Sequence, residues 1–294
     1  MEVDGTRMHF VCEGEGEPWL MMENGLMADV VAWDLVWEDL SKITRVCAYD
    51  RPGLGWSDNI DEPRDGTSVA AALNHLLEKA APDGQFILLG MSAGGVYVRD
   101  YYQQFPERVV GMVLIDSSHE QQTPRLEEIY GADGNPLTTP ISICATLSPF
   151  GVMRAFGVWE KLLDSFTPGL LNDENRGEIL SLQNYTHHCS ALSRELAEFA
   201  LDTSREQGPV SLGSLPLLVL SQGELVIEEN LPPGTSLESA VEARAIWDDL
   251  QISLAQLSTK SRRVVATESG HMIQLNQPDL VIAEFQTFMQ ELGD

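Results

Sequence analysis

Positive charge is scarce in this sequence of 294 residues, which has 18 Lys and Arg residues against 45 Asp and Glu residues. The formal net charge at pH 7 is −27, and the only lysines are Lys42, Lys79, Lys161 and Lys260. Such a surface repels phosphate backbones and anionic lipid headgroups, so we expect no nucleic-acid partner and no membrane-surface partner. Salt would screen the repulsion among these acidic side chains, so the composition would suit a saline habitat. An ordinary acidic enzyme is the simpler explanation of the composition.

Cysteines and long apolar runs are also few. Cys12, Cys47, Cys144 and Cys189 are far apart and form no C-x-x-C pair. Three of them lie in apolar runs, which predicts buried thiols and favours neither a metal site nor a disulfide framework. No apolar run reaches the length of a membrane span, and residues 1–4 lack a signal-peptide pattern. We expect a cytoplasmic protein, or a secreted one if the N-terminus was trimmed.

The sequence does contain enough apolar residues, 43% of the chain, for a sizeable core. Short β-type runs alternate with stretches of helical periodicity, which is typical of a mostly parallel sheet with crossover helices. Apolar residues at helical spacing predict helices over 30–40 and 69–77. The predicted strands are 8–11, 19–22, 44–49, 86–89, 109–115, 217–220 and 263–266.

This alternation stops after Ile115 and resumes at Leu217. The residues between are too many for a loop, and they contain helical stretches broken by Pro, Gly and Asn. We therefore predict an α/β core in two parts, 1–118 and 213–294, with a helical cap or lid over 119–212.

The most informative motif is Gly90-Met91-Ser92-Ala93-Gly94-Gly95. It follows an apolar strand pattern and precedes a helical run, so the glycines permit a sharp strand-to-helix turn that exposes the hydroxyl of Ser92. The alternative is a glycine-rich turn with an incidental serine. We predict that Ser92 is a nucleophile.

A serine hydroxyl needs a base, and the chain has six histidines. His9 and His75 lie in strand and helix patterns, and His187 and His188 lie in the predicted cap. His271 follows the last predicted strand in a short loop, which is the place expected for a catalytic base. The alternative is an ordinary loop histidine.

Six stretches of the chain are informative together. They are Gly14-Glu15-Gly16, Glu23-Asn24-Gly25, Tyr49-Asp50-Arg51-Pro52-Gly53-Leu54-Gly55-Trp56-Ser57, the Ser92 motif, Leu114-Ile115-Asp116-Ser117-Ser118, and Ser269-Gly270-His271 through Pro278. With these stretches the sequence resembles the α/β-hydrolase superfamily over the whole chain. The resemblance implies an eight-stranded, mostly parallel core sheet, a helical cap between strands six and seven, and serine-ester chemistry without a cofactor. It also implies the chain order nucleophile, acid, histidine.

The acid of the expected triad departs from the family's commonest pattern. Members of the family usually carry an Asp in the loop after strand seven, three places after a glycine. Here Val226 stands at that position, whereas Asp116 matches a variant in which the acid ends strand six. An Asp that ends an apolar strand is well placed for sequestration beside an imidazole, so we predict Asp116, with Glu224 as the alternative.

The resemblance also predicts an oxyanion hole built from two backbone N–H groups. One is that of Ala93, and the other is that of Leu26 in the loop after the second strand, where Gly25 permits the turn. Asn24 stands where the family often has His. We expect Asn24, Gly25 and Met91 to contact the substrate.

These features predict a serine hydrolase that cleaves a carboxylic ester or related acyl compound of modest size, with no metal and no cofactor. Epoxide hydrolysis is disfavoured, because relatives with that activity use an Asp nucleophile. Carbon–carbon bond hydrolysis, perhydrolysis and a receptor-like binding protein with little turnover remain alternatives. The sequence indicates nothing about oligomeric state.

Overall fold

The computed structural model describes residues 1–60, 63–130, 138–167, 169–183, 185–228, 231 and 235–293. The strands are Glu2–Val3 (β1), Thr6–Arg7 (β2), Phe10–Glu13 (β3), Trp19–Glu23 (β4), Val46–Tyr49 (β5), Phe86–Met91 (β6), Val109–Ile115 (β7), Leu217–Gln222 (β8) and Ser261–Ala266 (β9). The main sheet has the strand order β3-β5-β4-β6-β7-β8-β9, in which β3 is antiparallel to β5 and the other neighbours are parallel.

The predicted α/β class and the mostly parallel sheet are confirmed. The expected number of eight strands in one sheet is wrong for the described residues, because the main sheet has seven. The N-terminal strands β1 and β2 pair with each other as a separate antiparallel ribbon.

Helices cover both faces of the sheet, because successive strand residues point to opposite sides. The helices of the core are Asp34–Ser41 (α1), Gly66–Ala80 (α2), Ala93–Gln104 (α3), Leu237–Ala255 (α10), Ile273–Asn276 (α11) and Pro278–Gly293 (α12). Leu20 and Met22 of β4 pack on the side of α1 and α12, whereas Met21 packs on the side of α2 and α3. In the described parts of the chain, no helix is both long and apolar enough to cross a bilayer.

The described chain between β7 and β8 contains six α-helices, with non-helical segments at both ends, 116–121 and 203–216. These cap helices have a small core of their own, to which Trp159, Leu192 and Met153 contribute. The boundaries predicted for the cap, 119–212, stay a prediction. The helices are Gln122–Tyr130 (α4), Thr138–Leu147 (α5), Val152–Ala155 (α6), Val158–Phe166 (α7), Asp173–Gln183 (α8) and Thr186–Asp202 (α9).

The four cysteines form two disulfides, Cys12–Cys47 and Cys144–Cys189. Cys12 and Cys47 are directly opposite each other in the antiparallel pair of β3 and β5. Cys144 and Cys189 join α5 to α9, which pack against each other. The prediction of free buried thiols is therefore wrong. The partners are 35 and 45 residues apart in sequence, and only the strand register and the helix packing bring them together.

Candidate active site

Ser92 lies between the end of β6 and the first residue of α3, in a strained backbone conformation. Its φ is 53° and its ψ is −121°, a region that non-glycine residues rarely occupy. The turn is held by hydrogen bonds from the N–H groups of Gly95 and Ser118 to the Ser92 carbonyl, at 3.0 and 2.9 Å. A Cβ at Gly94 would collide with the carbonyl of Glu23, so glycine is required there. The positive end of the α3 dipole therefore lies next to Ser92.

The structure brings Ser92, His271 and Asp116 into one hydrogen-bonded chain. Ser92 Oγ is 3.0 Å from His271 Nε2, and His271 Nδ1 is 2.6 Å from Asp116 Oδ2. Asp116 directly follows β7 and is fully buried, whereas the His271 side chain lies in the loop between β9 and α11 and is 40% exposed. In this arrangement the imidazole can accept the hydroxyl proton while the buried carboxylate orients the ring.

The alternative acid, Glu224, lies beside the loop of His271, with Oε2 3.3 Å from where a Cβ on Gly270 would stand. Among the described residues, however, the hydrogen bonds of the His271 ring go to Ser92 and Asp116. Its residue is exposed and its backbone N–H donates to the Ser269 carbonyl, in the loop that precedes His271. The carbonyl of Glu224 accepts a hydrogen bond from Arg244 at 2.8 Å. The carboxylate that contacts His271 is that of Asp116, so Glu224 supports the loop through its backbone.

Trp247 of α10 contacts both Asp116 and His271, and the sequence analysis missed it. Its indole N–H donates to Asp116 Oδ1 at 3.0 Å, and its ring packs edge-on against the His271 ring with centroids 5.9 Å apart. The N–H of Gln222 donates to the same carboxylate oxygen, also at 3.0 Å. Asp116 therefore has donors on both oxygens. Trp247 is 131 residues from Asp116 in the chain, and no local motif indicates the contact.

Ala93 and Leu26, the residues predicted to supply the oxyanion-hole N–H groups, both lie beside Ser92. Ala93 is the first residue of α3, where N–H groups have no acceptor within the helix. Leu26 lies in the loop after β4 and lines the same cavity as Ser92. Gly25 brings this loop close, since a Cβ there would stand 2.8 Å from Met91 Sδ and 3.2 Å from Ser92 Cβ. Within the described residues, neither N–H has a hydrogen-bond acceptor.

Arg51 holds the loop that carries Leu26 in place through hydrogen bonds to its backbone. This buried guanidinium donates to the carbonyls of Asn24 and Gly25, each at 2.8 Å, and pairs with Glu23 at 2.7 Å. Burial is the largest influence on the Glu23 carboxyl and raises its pKa, although Arg51 opposes this. Together these contacts fix the positions of the peptide groups beside Ser92.

Asn24 does not contact the cavity, which differs from the expectation. It is buried, its amide N–H donates to the Tyr49 carbonyl at 3.0 Å, and its amide oxygen accepts from the Trp33 indole at 2.5 Å. Both polar atoms are thus used in holding the loop. The other two expected substrate contacts, Gly25 and Met91, do line the cavity.

A largely apolar cavity of about 200 Å³ opens at Ser92 and His271. The core supplies one side of it with Leu26, Met91 and neighbours, and the cap supplies the other with residues of α7 and α8 such as Leu162 and Ile179. A space of this kind accepts a small apolar group attached to a carbonyl at Ser92.

Asp29 is the one carboxylate among the residues that line this cavity, within the described chain. It is 7% exposed, and burial, together with the nearby charge of Asp50, raises its pKa to about 7. One oxygen accepts from the Val31 N–H at 3.1 Å and caps the short 3₁₀ helix Val30–Trp33. This carboxyl therefore keeps its proton up to a higher pH than an exposed aspartate does.

Comparisons with known proteins agree with this fold. A family model described as the alpha/beta hydrolase fold matches residues 18–136. An AB hydrolase superfamily protein from Gibberella zeae is 26% identical, over 93% of this chain and 87% of its own. Relatives from Schizosaccharomyces pombe and Saccharomyces cerevisiae are 33% identical over 40% and 37% of this chain, and the matched part is 21% and 18% of their own length.

Solved structures show the same fold. A thermophilic esterase from Thermogutta terrifontis has a TM-score of 0.63 and 19% identity, with 98% of this chain and 94% of that chain covered. The epoxide hydrolase VrEH1 from Vigna radiata has a TM-score of 0.74 and 14% identity, with coverage of 99% and 97%. The sheet, the family-model match over residues 18–136 and these structural similarities together show that the chain has the α/β-hydrolase fold.

Proposed function

We propose that this chain is a serine hydrolase that cleaves a carboxylic ester or related acyl compound of modest size. The observation that carries the proposal is the chain of hydrogen bonds from Asp116 through His271 to Ser92 at the edge of an apolar cavity. Ser92 attacks the carbonyl carbon as His271 takes its proton. The N–H groups of Ala93 and Leu26 stabilise the oxyanion, and the alcohol leaves with the proton that His271 returns.

Water then attacks the acyl-enzyme, with His271 again as the base, and the acid product leaves. No cofactor is needed for these steps. The esterase among the similar structures supports this assignment, and the epoxide hydrolases there do not contradict it. Epoxide opening in that family uses an Asp nucleophile, whereas this chain has a hydroxyl at the elbow.

Pre-steady-state kinetics with p-nitrophenyl butyrate test the proposal. We expect a burst of p-nitrophenol, and stoichiometric labelling of Ser92 by a fluorophosphonate. The Ser92→Ala protein is the control and should show neither. Labelling without turnover would instead favour a binding protein on this fold. Absence of both, with folded protein, would overturn the role of Ser92.

The identity of the acid is tested by two matched amide substitutions. Asp116→Asn should lower kcat by about 10³–10⁴-fold, because the imidazole loses the carboxylate that orients it and stabilises its charge. Glu224→Gln should change kcat less than threefold. The reverse result would transfer the role of acid to Glu224.

The two disulfides are relevant to the cellular compartment in which the protein functions. Structural disulfides persist in oxidising compartments and are rare in a reducing cytoplasm. We therefore favour a secreted or otherwise extracytoplasmic location over the cytoplasmic one. Thiol titration of the denatured protein, isolated from its native source under alkylating conditions, should detect no free thiol. Four thiols would support the cytoplasm.

A further inference from the structure

Two side chains that line the cavity beside Ser92 each have a buried polar atom without a partner. The two atoms are the carbonyl oxygen of the Gln183 amide, at the end of α8, and the indole N–H of Trp159, in α7. Both side chains line the cavity and are more than 90% buried. Among the described residues, they are the cavity-lining side chains that have such an unpartnered buried atom.

A third polar side chain of the cap shows the contrast. Thr167 also lines the cavity, but its hydroxyl donates to the Leu163 carbonyl at 2.9 Å. The one hydrogen-bond donor of this hydroxyl is thus used within the cap. Buried polar groups in proteins are nearly always paired, and an unpaired group in an enzyme cavity calls for an explanation such as a ligand.

The two atoms have opposite requirements. The indole N–H of Trp159 can only donate, and the amide oxygen of Gln183 can only accept. A hydroxyl is the smallest group that accepts from one and donates to the other. An unsubstituted alkyl chain in the cavity would leave both atoms unpaired, and this costs affinity.

We propose that Gln183 and Trp159 form a polar subsite in the cap that recognises a hydroxyl group on the acyl part of the substrate. The proposal rests on the serine hydrolase function above and narrows its substrate class to hydroxyacyl esters. The reacting carbonyl lies at Ser92 on the core side, and the hydroxyl lies at the cap side of the same cavity.

The test compares p-nitrophenyl hexanoate with its 3-, 4-, 5- and 6-hydroxy derivatives. We expect kcat/KM for at least one hydroxy isomer to exceed that of the hexanoate by tenfold or more, which corresponds to about 1.4 kcal/mol. Gln183→Met should reduce this preference to below twofold. Trp159→Phe should reduce the preference independently of the first variant. The matched control, Thr167→Val, should retain it.

Binding without turnover provides a second readout. Calorimetry should give a Kd for the preferred hydroxyhexanamide at least fivefold lower than for hexanamide, and Gln183→Met should remove the difference. Active enzyme that prefers no hydroxy isomer by more than twofold would overturn the subsite while leaving the hydrolase proposal intact. A preference for oxo over hydroxy isomers would overturn the choice of a hydroxyl. If no ester is turned over, the hydrolase proposal fails, and the calorimetry still decides the subsite.

Discussion

Two residues of the site, Ser92 and Asp116, have positive φ values although neither is glycine. The values are 53° and 39°, and such conformations cost of order 1–3 kcal/mol each. The N–H of Asp116 donates to the Leu220 carbonyl at 2.7 Å, so pairing with β8 holds it in place. The strain at Ser92 follows from its glycine-rich motif. That at Asp116 depends on the neighbouring strand and could not be predicted from its own segment.

The contact between Trp247 and Asp116 yields a prediction at this scale. Trp247→Phe keeps a ring beside His271 and removes the N–H that holds the carboxylate. Hydrogen bonds to charged groups contribute about 1.5–3 kcal/mol, so we expect kcat to fall roughly 10- to 100-fold with little change in KM.

The control for this variant is Trp37→Phe. The Trp37 indole also donates to a carboxylate, that of Glu13 at 2.6 Å, but this bond is exposed and remote from Ser92. Trp37→Phe should leave both kcat and KM unchanged. Equal effects of the two substitutions on kcat would contradict a role of Trp247 in positioning Asp116.

Asp29 makes the stability of the protein depend on pH. Its pKa of about 7 in the folded state exceeds the ordinary value of 3.8, so between these values the folded state binds a proton that the unfolded state releases. The contribution of Asp29 to the free energy of unfolding therefore falls as pH rises from about 4 to about 7. The upper limit of this loss is roughly 4 kcal/mol.

Asp29→Asn should remove this loss, since Asn is as good a helix cap as Asp and carries no charge. Urea unfolding at pH 4.5 should give similar stabilities for both proteins, whereas at pH 8 the variant should be more stable by up to about 4 kcal/mol. A difference between the two proteins that does not vary with pH would contradict the raised pKa.

At the scale of elements, helix α9 joins the cap to the core through buried carboxylates. Glu195 pairs with Arg51 at 2.5 Å, and both side chains are at most 2% exposed. Asp202 lies seven residues after Glu195, about two helical turns along α9, and accepts a hydrogen bond from the N–H of Gly66 at 2.8 Å. Because Arg51 also donates to the Gly25 carbonyl, the position of α9 is coupled to the loop that carries Leu26.

Glu195→Gln should therefore reduce both stability and activity. Removing one partner of a buried ion pair lowers the free energy of unfolding by about 3–5 kcal/mol. Because Arg51 keeps its contacts with Glu23, we expect a loss near the lower end of this range. Denaturant unfolding measures the loss, and kcat should fall with it. Asp164→Asn breaks the exposed pair with Arg176 in the same cap and should cost less than about 1 kcal/mol. Similar losses from both variants would argue against the anchoring role.

The elements differ in how far the sequence predicts them. Strand β7 has the predicted bounds, because its continuous apolar run is buried on both faces. The Ser92 elbow follows from local chemistry in the same way. The disulfides, the contact of Trp247 and the burial of the Asn24 side chain against Tyr49 and Trp33 depend on strand register and helix packing between distant segments. No local pattern records these contacts.

At the scale of the whole molecule, the net charge of −27 leaves a strongly acidic surface. Several of the few cations are buried and already paired, among them Arg51 and Arg99, so they do not offset the surface charge. Repulsion among the remaining carboxylates destabilises the compact state, and salt screens it, since the Debye length falls from about 10 Å at 0.1 M to about 3 Å at 1 M.

We therefore expect the midpoint of thermal unfolding at pH 7.5 to rise by roughly 2–5 °C between 0.05 and 1 M NaCl. The control is the same titration near pH 4.5, close to the sequence pI of about 4.4, where the net charge is small. There the midpoint should change by less than half as much, because little repulsion is left to screen. An equal rise at both pH values would mean that salt acts through hydration of the surface, and the acidic composition would then have no part in the stability of the fold.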